Sequence, residues 1–176
     1  MAETRKGEVT FKGNPIELVG PKLKAGDPAP DFKAVGAGLA IVSLAETGGK
    51  ARLFNVVPSL DTPVCNRQTK HFAEVLKELG DKVAAYTVST DLPFAQARFC
   101  TEAQIDNIQN LSDAHDHSFG ERYGVLIQGL PVPLLARSLF VVDPSNTITY
   151  VQIVPEIAQE PDYEPALAAL KAAAGV

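Results

Sequence analysis

The residues best suited to chemistry in this 176-residue chain are its two cysteines, Cys65 and Cys100. A cysteine thiolate is a strong nucleophile that can be oxidised in steps, so such a pair suggests redox or covalent catalysis. Cys65 ends the segment Pro58-Ser59-Leu60-Asp61-Thr62-Pro63-Val64-Cys65, which follows an apolar run and precedes a helical pattern. Cys65 then falls in the first turn of a helix, where free backbone N–H groups and the positive dipole end favour the thiolate. Thr62 can place its hydroxyl beside that sulfur, and a hydroxyl both donates and accepts. Thr62 also suits an ordinary helix cap, and Cys65 a small buried filler, so these residues alone leave both readings open. Cys100 taken alone reads as a packing residue.

Other candidates carry less. His115-Asp116-His117 with Asp113 lacks a further well-spaced ligand and reads as a solvated loop, so no metal is expected. His71 lies six residues (71 − 65) beyond Cys65, poor spacing for the base of a cysteine hydrolase. Gly48-Gly49-Lys50 has the wrong flanks for a phosphate loop. Glu156, Glu160 and Asp162 read as a solvated loop before the last helix.

The elements that must position the cysteines follow from periodicity. Glu8 to Phe11 and Ile16 to Val19 around Gly13-Asn14 predict an N-terminal β-hairpin. Pro21 to Phe32 is a loop, and a short strand is expected around Leu39 to Ser43. Ala51 to Val57 predicts a buried strand, followed by a helix from about Val64 to Leu79. Val83 to Ser89 predicts a second buried strand. Asp91 is expected to cap a helix from Leu92 to about Glu102. Strands are expected within Asn107–Ser112, at Ser138–Val142 and at Thr147–Val154, the last two joined by a turn. A helix after Pro161-Asp162, carrying Tyr163, Leu167, Leu170 and Ala174, ends the chain. This order predicts an α/β fold with a mixed central sheet flanked by helices, residues 1–176 forming one domain.

Sixteen Lys and Arg against twenty-one Asp and Glu give a net charge of −5. A mildly acidic chain without a basic run is not expected to bind nucleic acid. No apolar run approaches the roughly 18 residues of a membrane helix. Residues 1–14 lack a secretory pattern, so a cytoplasmic protein is expected.

Pro58, Thr62 and Cys65 stand in the pattern P-x-x-x-T-x-x-C, which resembles the active-site signature of the peroxiredoxins. The upstream GDPAPDF resembles the loop before their first core strand. PSLDTPVCNRQTKHF, the N-terminal hairpin and LARSLFVVD around Arg137 are similar to one atypical two-cysteine branch, the bacterial thiol peroxidases. The likeness runs from Gly7 to the final helix; Pro63 stands where that branch often has a small residue.

The resemblance implies a thioredoxin-like fold that reduces hydroperoxides, alkyl and lipid ones included, without metal or other cofactor. Cys65 matches the peroxidatic cysteine, and Thr62 the residue that hydrogen-bonds sulfur and peroxide. Pro58 matches the shield over the oxidised sulfur, and Arg137 the cation that favours the thiolate and binds peroxide. Cys100 matches the resolving cysteine, which would close an intramolecular disulfide after local unwinding. Thioredoxin as reductant and a homodimer are likewise implied. Leu126, Ile127 and Leu130 are candidates for an apolar entrance. The competing readings are a thioredoxin-fold disulfide exchanger, which would be expected to carry C-x-x-C, and a Cys-dependent hydrolase.

Overall fold

A computed structural model of the chain describes residues 2–176. The hairpin forms from β1 (Thr4–Phe11) and β2 (Asn14–Val19). Its two turn residues, Lys12 and Gly13, both have positive φ, 50° and 80°. That is the turn whose twist matches a hairpin.

The elements then run β3 (Ala34–Val35), β4 (Ile41–Val42), β5 (Ala51–Val56), α1 (Pro63–Val75), β6 (Val83–Ser89) and α2 (Pro93–Ala103). They continue with β7 (Gln109–Ser112), α3 (Ser118–Arg122), β8 (Leu126–Gln128), β9 (Ser138–Val142), β10 (Ile148–Ile153) and α4 (Tyr163–Ala174). Seven strands make the expected mixed sheet in the order β10-β9-β5-β6-β7-β3-β4, while β1, β2 and β8 make a second, three-stranded sheet. Strands β5, β6 and β7 are parallel; β9 runs antiparallel to β5, and β10 to β9.

Alternate side chains of the central strands go to opposite faces, as strand geometry requires. Leu53, Ala85, Leu139 and Val141 pack with Phe72 of α1 and with Ala166, Leu167 and Leu170 of α4. Phe54, Tyr86, Phe140 and Val142 pack with Phe32, Phe119 and Tyr123, where the Phe119 and Tyr123 rings stack at 4.1 Å. Both faces are therefore covered, which is why β5, β6 and β9 read as near-continuous apolar runs.

Several expectations need correction. The strand expected around Leu39–Ser43 shortens to two residues, because Ala37–Leu39 forms a 3-10 turn with Leu39 at φ 62°. Asp91 does not cap α2; Leu92 occupies that position without a side-chain cap bond. Ile127 lines no entrance: it is buried in the large core, with Leu126 and Leu130 packed against it. Asp113 is fully buried rather than solvated, and its carboxylate accepts the N–H groups of Phe119 and Gly120 at the start of α3.

Candidate active site

Strand β5 delivers the chain to the site. The backbone N–H of Val57 still donates to Val88 of the neighbouring strand, and the buried Pro58 ends the strand. The loop then turns through Ser59, Leu60 and Asp61 into α1. Thr62 stands before the helix and Pro63 in its first turn, where a missing N–H costs nothing. The first helical bond runs from the N–H of Asn66 to the carbonyl of Thr62, 3.0 Å. Cys65 thus lies inside the first turn, as its sequence context predicts, and is fully buried.

Thr62 makes no capping bond to the helix. Its hydroxyl oxygen is instead 2.8 Å from the Cys65 sulfur and 2.8 Å from the Ser59 carbonyl oxygen. The hydroxyl has one proton for two acceptors. It can donate to Ser59 while accepting from the thiol, or turn its proton to the sulfur once that is ionised.

Arg137 sits just before β9 and is 2 % exposed. Its Nε donates to the Ile157 carbonyl, 2.8 Å, and Nη1 to Gln68 Oε1, 2.9 Å. Gln68 is one turn beyond Cys65 on α1, so the guanidinium is drawn to the helix face that carries the thiol. Arg137 forms no ion pair among the described residues. A buried cation without a carboxylate partner suits an anion that forms nearby, a thiolate or a departing oxygen.

Periodicity alone misses the support beneath this pair. The Gln68 amide donates to Asn55 Oδ1, 2.6 Å, and the Asn55 amide donates to the hydroxyls of Thr69 and Thr87, 3.1 and 3.2 Å. All four residues are fully buried. The signal was present: Asn55 interrupts the apolar run of β5, and a buried amide must find partners.

Cys100 lies late in α2, half-buried, and both cysteines are free thiols. The Asn110 amide of β7 donates to its sulfur at 3.1 Å. Burial pushes the Cys100 thiol above its ordinary range, and the Asn110 bond pulls it partly back. Cys65, Leu60, Val57 and Phe99 form one apolar cluster, with Cys100, Ala103 and Ile105 packed against it. Beside it opens a cleft of about 440 Å³ lined by residues that include Leu60, Thr62, Pro63, Asn66, Arg98 and Phe99. One wall of the cleft comes from the segment of Cys65, the other from that of Cys100. His71 takes no part, its ring stacking on Tyr163 at 3.9 Å.

The arrangement sets a hydroxyl against a sulfur nucleophile, ties a buried cation to the helix that carries it, and offers a second thiol from the next helix. Comparison with known proteins points the same way. Residues 24–167 match the Redoxin family. The thiol peroxidase of Bacillus subtilis is 48% identical over 165 residues, 94% of this chain and 97% of that protein. One from Staphylococcus aureus is 49% identical, over 93% of this chain and 98% of its own. A peroxiredoxin-like protein from Aquifex aeolicus superposes with a TM-score of 0.86 at 41% identity, covering 96% of this chain and 98% of that one. The thiol peroxidase from Chromobacterium violaceum, 21% identical, shares the fold at a TM-score of 0.80 over 93% of this chain and 95% of its own.

Proposed function

Because the chain belongs to the redoxin family, and within it to the thiol peroxidases, we propose that it reduces hydroperoxides through Cys65 and Cys100. The observation that carries this reading is the Thr62 hydroxyl 2.8 Å from a cysteine sulfur in the first turn of a helix. In the first step the Cys65 thiolate attacks the terminal peroxide oxygen. An S–O bond forms, the O–O bond breaks, and the leaving oxyanion takes a proton to become alcohol or water. Cys65 is left as the sulfenic acid. Thr62 orients the attacked peroxide, and Arg137, held by Gln68, stabilises the charge that moves onto the leaving oxygen. Pro58, buried at the end of β5, shields the oxidised sulfur.

In the second step the Cys100 thiolate attacks the Cys65 sulfur. An S–S bond forms, the S–O bond breaks, and hydroxide leaves as water after protonation. The sulfurs are engaged by different partners in the reduced form, Thr62 for one and Asn110 for the other. Closure breaks both contacts, and in this reading it unwinds the first turn of α1 and the end of α2, which carry the two cysteines. A thioredoxin-type dithiol then returns two electrons and two protons.

Residues 1–176 act as one domain in this reading, and the enzyme works in the cytoplasm as a homodimer. No helix among the described residues is long and apolar enough to cross a membrane. Leu92 and Phe94 stand 60% and 70% exposed at the start of α2, beside a loop with exposed Val132 that is tied to Thr90. Such a patch supports self-association. Consumption of an alkyl hydroperoxide in the presence of thioredoxin, its reductase and NADPH tests the function. Turnover that Cys65→Ser abolishes is expected; a chain that reduces disulfides but spares peroxide would refute it.

A further inference from the structure

The carboxylate of Asp91 joins the two segments that hold the cysteines. It follows β6, and instead of capping α2 it turns toward the loop ahead of α1. Oδ1 accepts the Ser59 hydroxyl at 2.8 Å. Oδ2 accepts the backbone N–H of Leu60 and the hydroxyl of Ser89, each at 2.8 Å. The Asp91 carbonyl accepts the Ser112 hydroxyl at 2.6 Å, which pins the residue to β7. Asp91 forms no ion pair among the described residues, so three neutral donors hold its charge.

Those donors lead to the nucleophile. The Ser59 carbonyl accepts the N–H of Thr62 at 3.2 Å and its hydroxyl at 2.8 Å. The Thr62 carbonyl in turn accepts the first helical bond of the turn that carries Cys65. Leu60, whose N–H Asp91 holds, packs in the same apolar cluster as Cys65 and Phe99. On the other side Asp91 leads into α2, which carries Cys100. The ion pair across the cleft, Arg98 to Asp61 at 3.3 Å, joins exposed groups and contributes little.

We infer that Asp91 is a positioning residue that sets the balance between the two chemical steps. While its carboxylate grips Ser59 and Leu60, Thr62 and Cys65 are held for attack on peroxide. When the grip is lost, the first turn of α1 is free to move toward Cys100. This rests on the proposed peroxidase reading, with Cys65 oxidised and Cys100 resolving. A residue that only stabilised the fold would change both steps together; Asp91 changes them in opposite directions.

The test is a single turnover with one equivalent of cumene hydroperoxide, quenched at intervals and read by intact mass, on the wild type and on Asp91→Asn. Asparagine offers one acceptor oxygen where three donors now converge, so at least one bond is lost. Sulfenic acid formation is expected to slow on the order of tenfold, the scale of one lost charge-assisted hydrogen bond. Disulfide closure is expected to quicken, and less sulfinic acid to accumulate at excess peroxide. Asp81→Asn, on an exposed turn, should leave both rates unchanged. Should Asp91→Asn not fold, Ser59→Ala removes the Oδ1 partner alone and should give the same opposed shifts, smaller in size. Two steps that slow together, or two that stay unchanged, overturn the inference. A wild type that takes up no oxygen at Cys65, or closes no intrachain disulfide, overturns the peroxidase reading and this inference with it.

Discussion

The Thr62 hydroxyl oxygen lies 2.8 Å from the Cys65 sulfur, and it reaches that position without capping the helix it precedes. Its single proton is shared between the sulfur and the Ser59 carbonyl. Thr62→Val removes the proton that can turn to the thiolate and to bound peroxide. The rate of Cys65 oxidation should fall roughly tenfold to a hundredfold, the range of a hydrogen bond to a charged group. Thr62→Ser should restore most of it. Thermal unfolding should barely change, because Thr62 is exposed. Stopped-flow peroxide consumption and calorimetry measure the two quantities.

Gln68 joins Arg137 to the polar core of the sheet. Gln68→Leu leaves the Arg137 Nη1 and the Asn55 oxygen without these partners. At about 1–3 kcal/mol for each stranded group, the variant should lose several kcal/mol of stability and much of its peroxide rate. Arg137→Met should lose the same step. A Gln68→Leu protein with an unchanged urea midpoint would show that the network is not maintained in solution.

Burial pushes the Cys100 thiol up, and the Asn110 amide offsets part of that. Disulfide closure needs the thiolate, so its rate should climb with pH and level off only above the ordinary thiol value of about 8.5. Asn110→Ala removes the favourable bond, moves that plateau to higher pH and slows closure at neutral pH. Rapid quenching with a thiol alkylator across pH resolves the profile. A flat profile around neutrality would contradict the account.

Burial pushes the Asp113 carboxyl up to about 6, against the pull of the Gly120 and Phe119 N–H groups. The folded state therefore keeps a proton between about pH 4 and pH 6 that the unfolded chain has released. Stability from this group is full below its unfolded value and declines as pH rises through the folded one, by at most about 1.4 kcal/mol per pH unit. Urea midpoints across that range should show the decline. Asp113→Asn should lack it, though less stable throughout, because its amide donates where Gly120 needs an acceptor.

Much of this was legible in the residues. Runs such as Val83–Ser89 and Ser138–Val142 marked the central strands because both faces of the sheet are covered, and β6 and β9 occupy those same residues. The position of Cys65 in a first helical turn followed from Pro58, Pro63 and the spacing of Phe72. What stayed hidden is tertiary. The strands β3 and β8 and the helix α3 are too short for any periodicity to register. Asp91 has the right local chemistry for a cap, yet Ser59 and Leu60, distant in sequence, offer it better partners. Ile127 reads as a residue of an entrance, yet β8 pairs with β2 in the second sheet and Ile127 is buried in the core.

The central claim is that Cys65 takes the peroxide oxygen and Cys100 resolves it within one chain. Intact mass and a non-reducing gel, after one equivalent of hydroperoxide, test it most directly on the wild type and on Cys100→Ser. The account predicts a wild-type monomer lighter by two hydrogens, with Cys65 joined to Cys100. It predicts a Cys100→Ser chain heavier by one oxygen, located on Cys65. A disulfide-linked dimer as the main wild-type product, or oxygen uptake at Cys100 rather than Cys65, would contradict it.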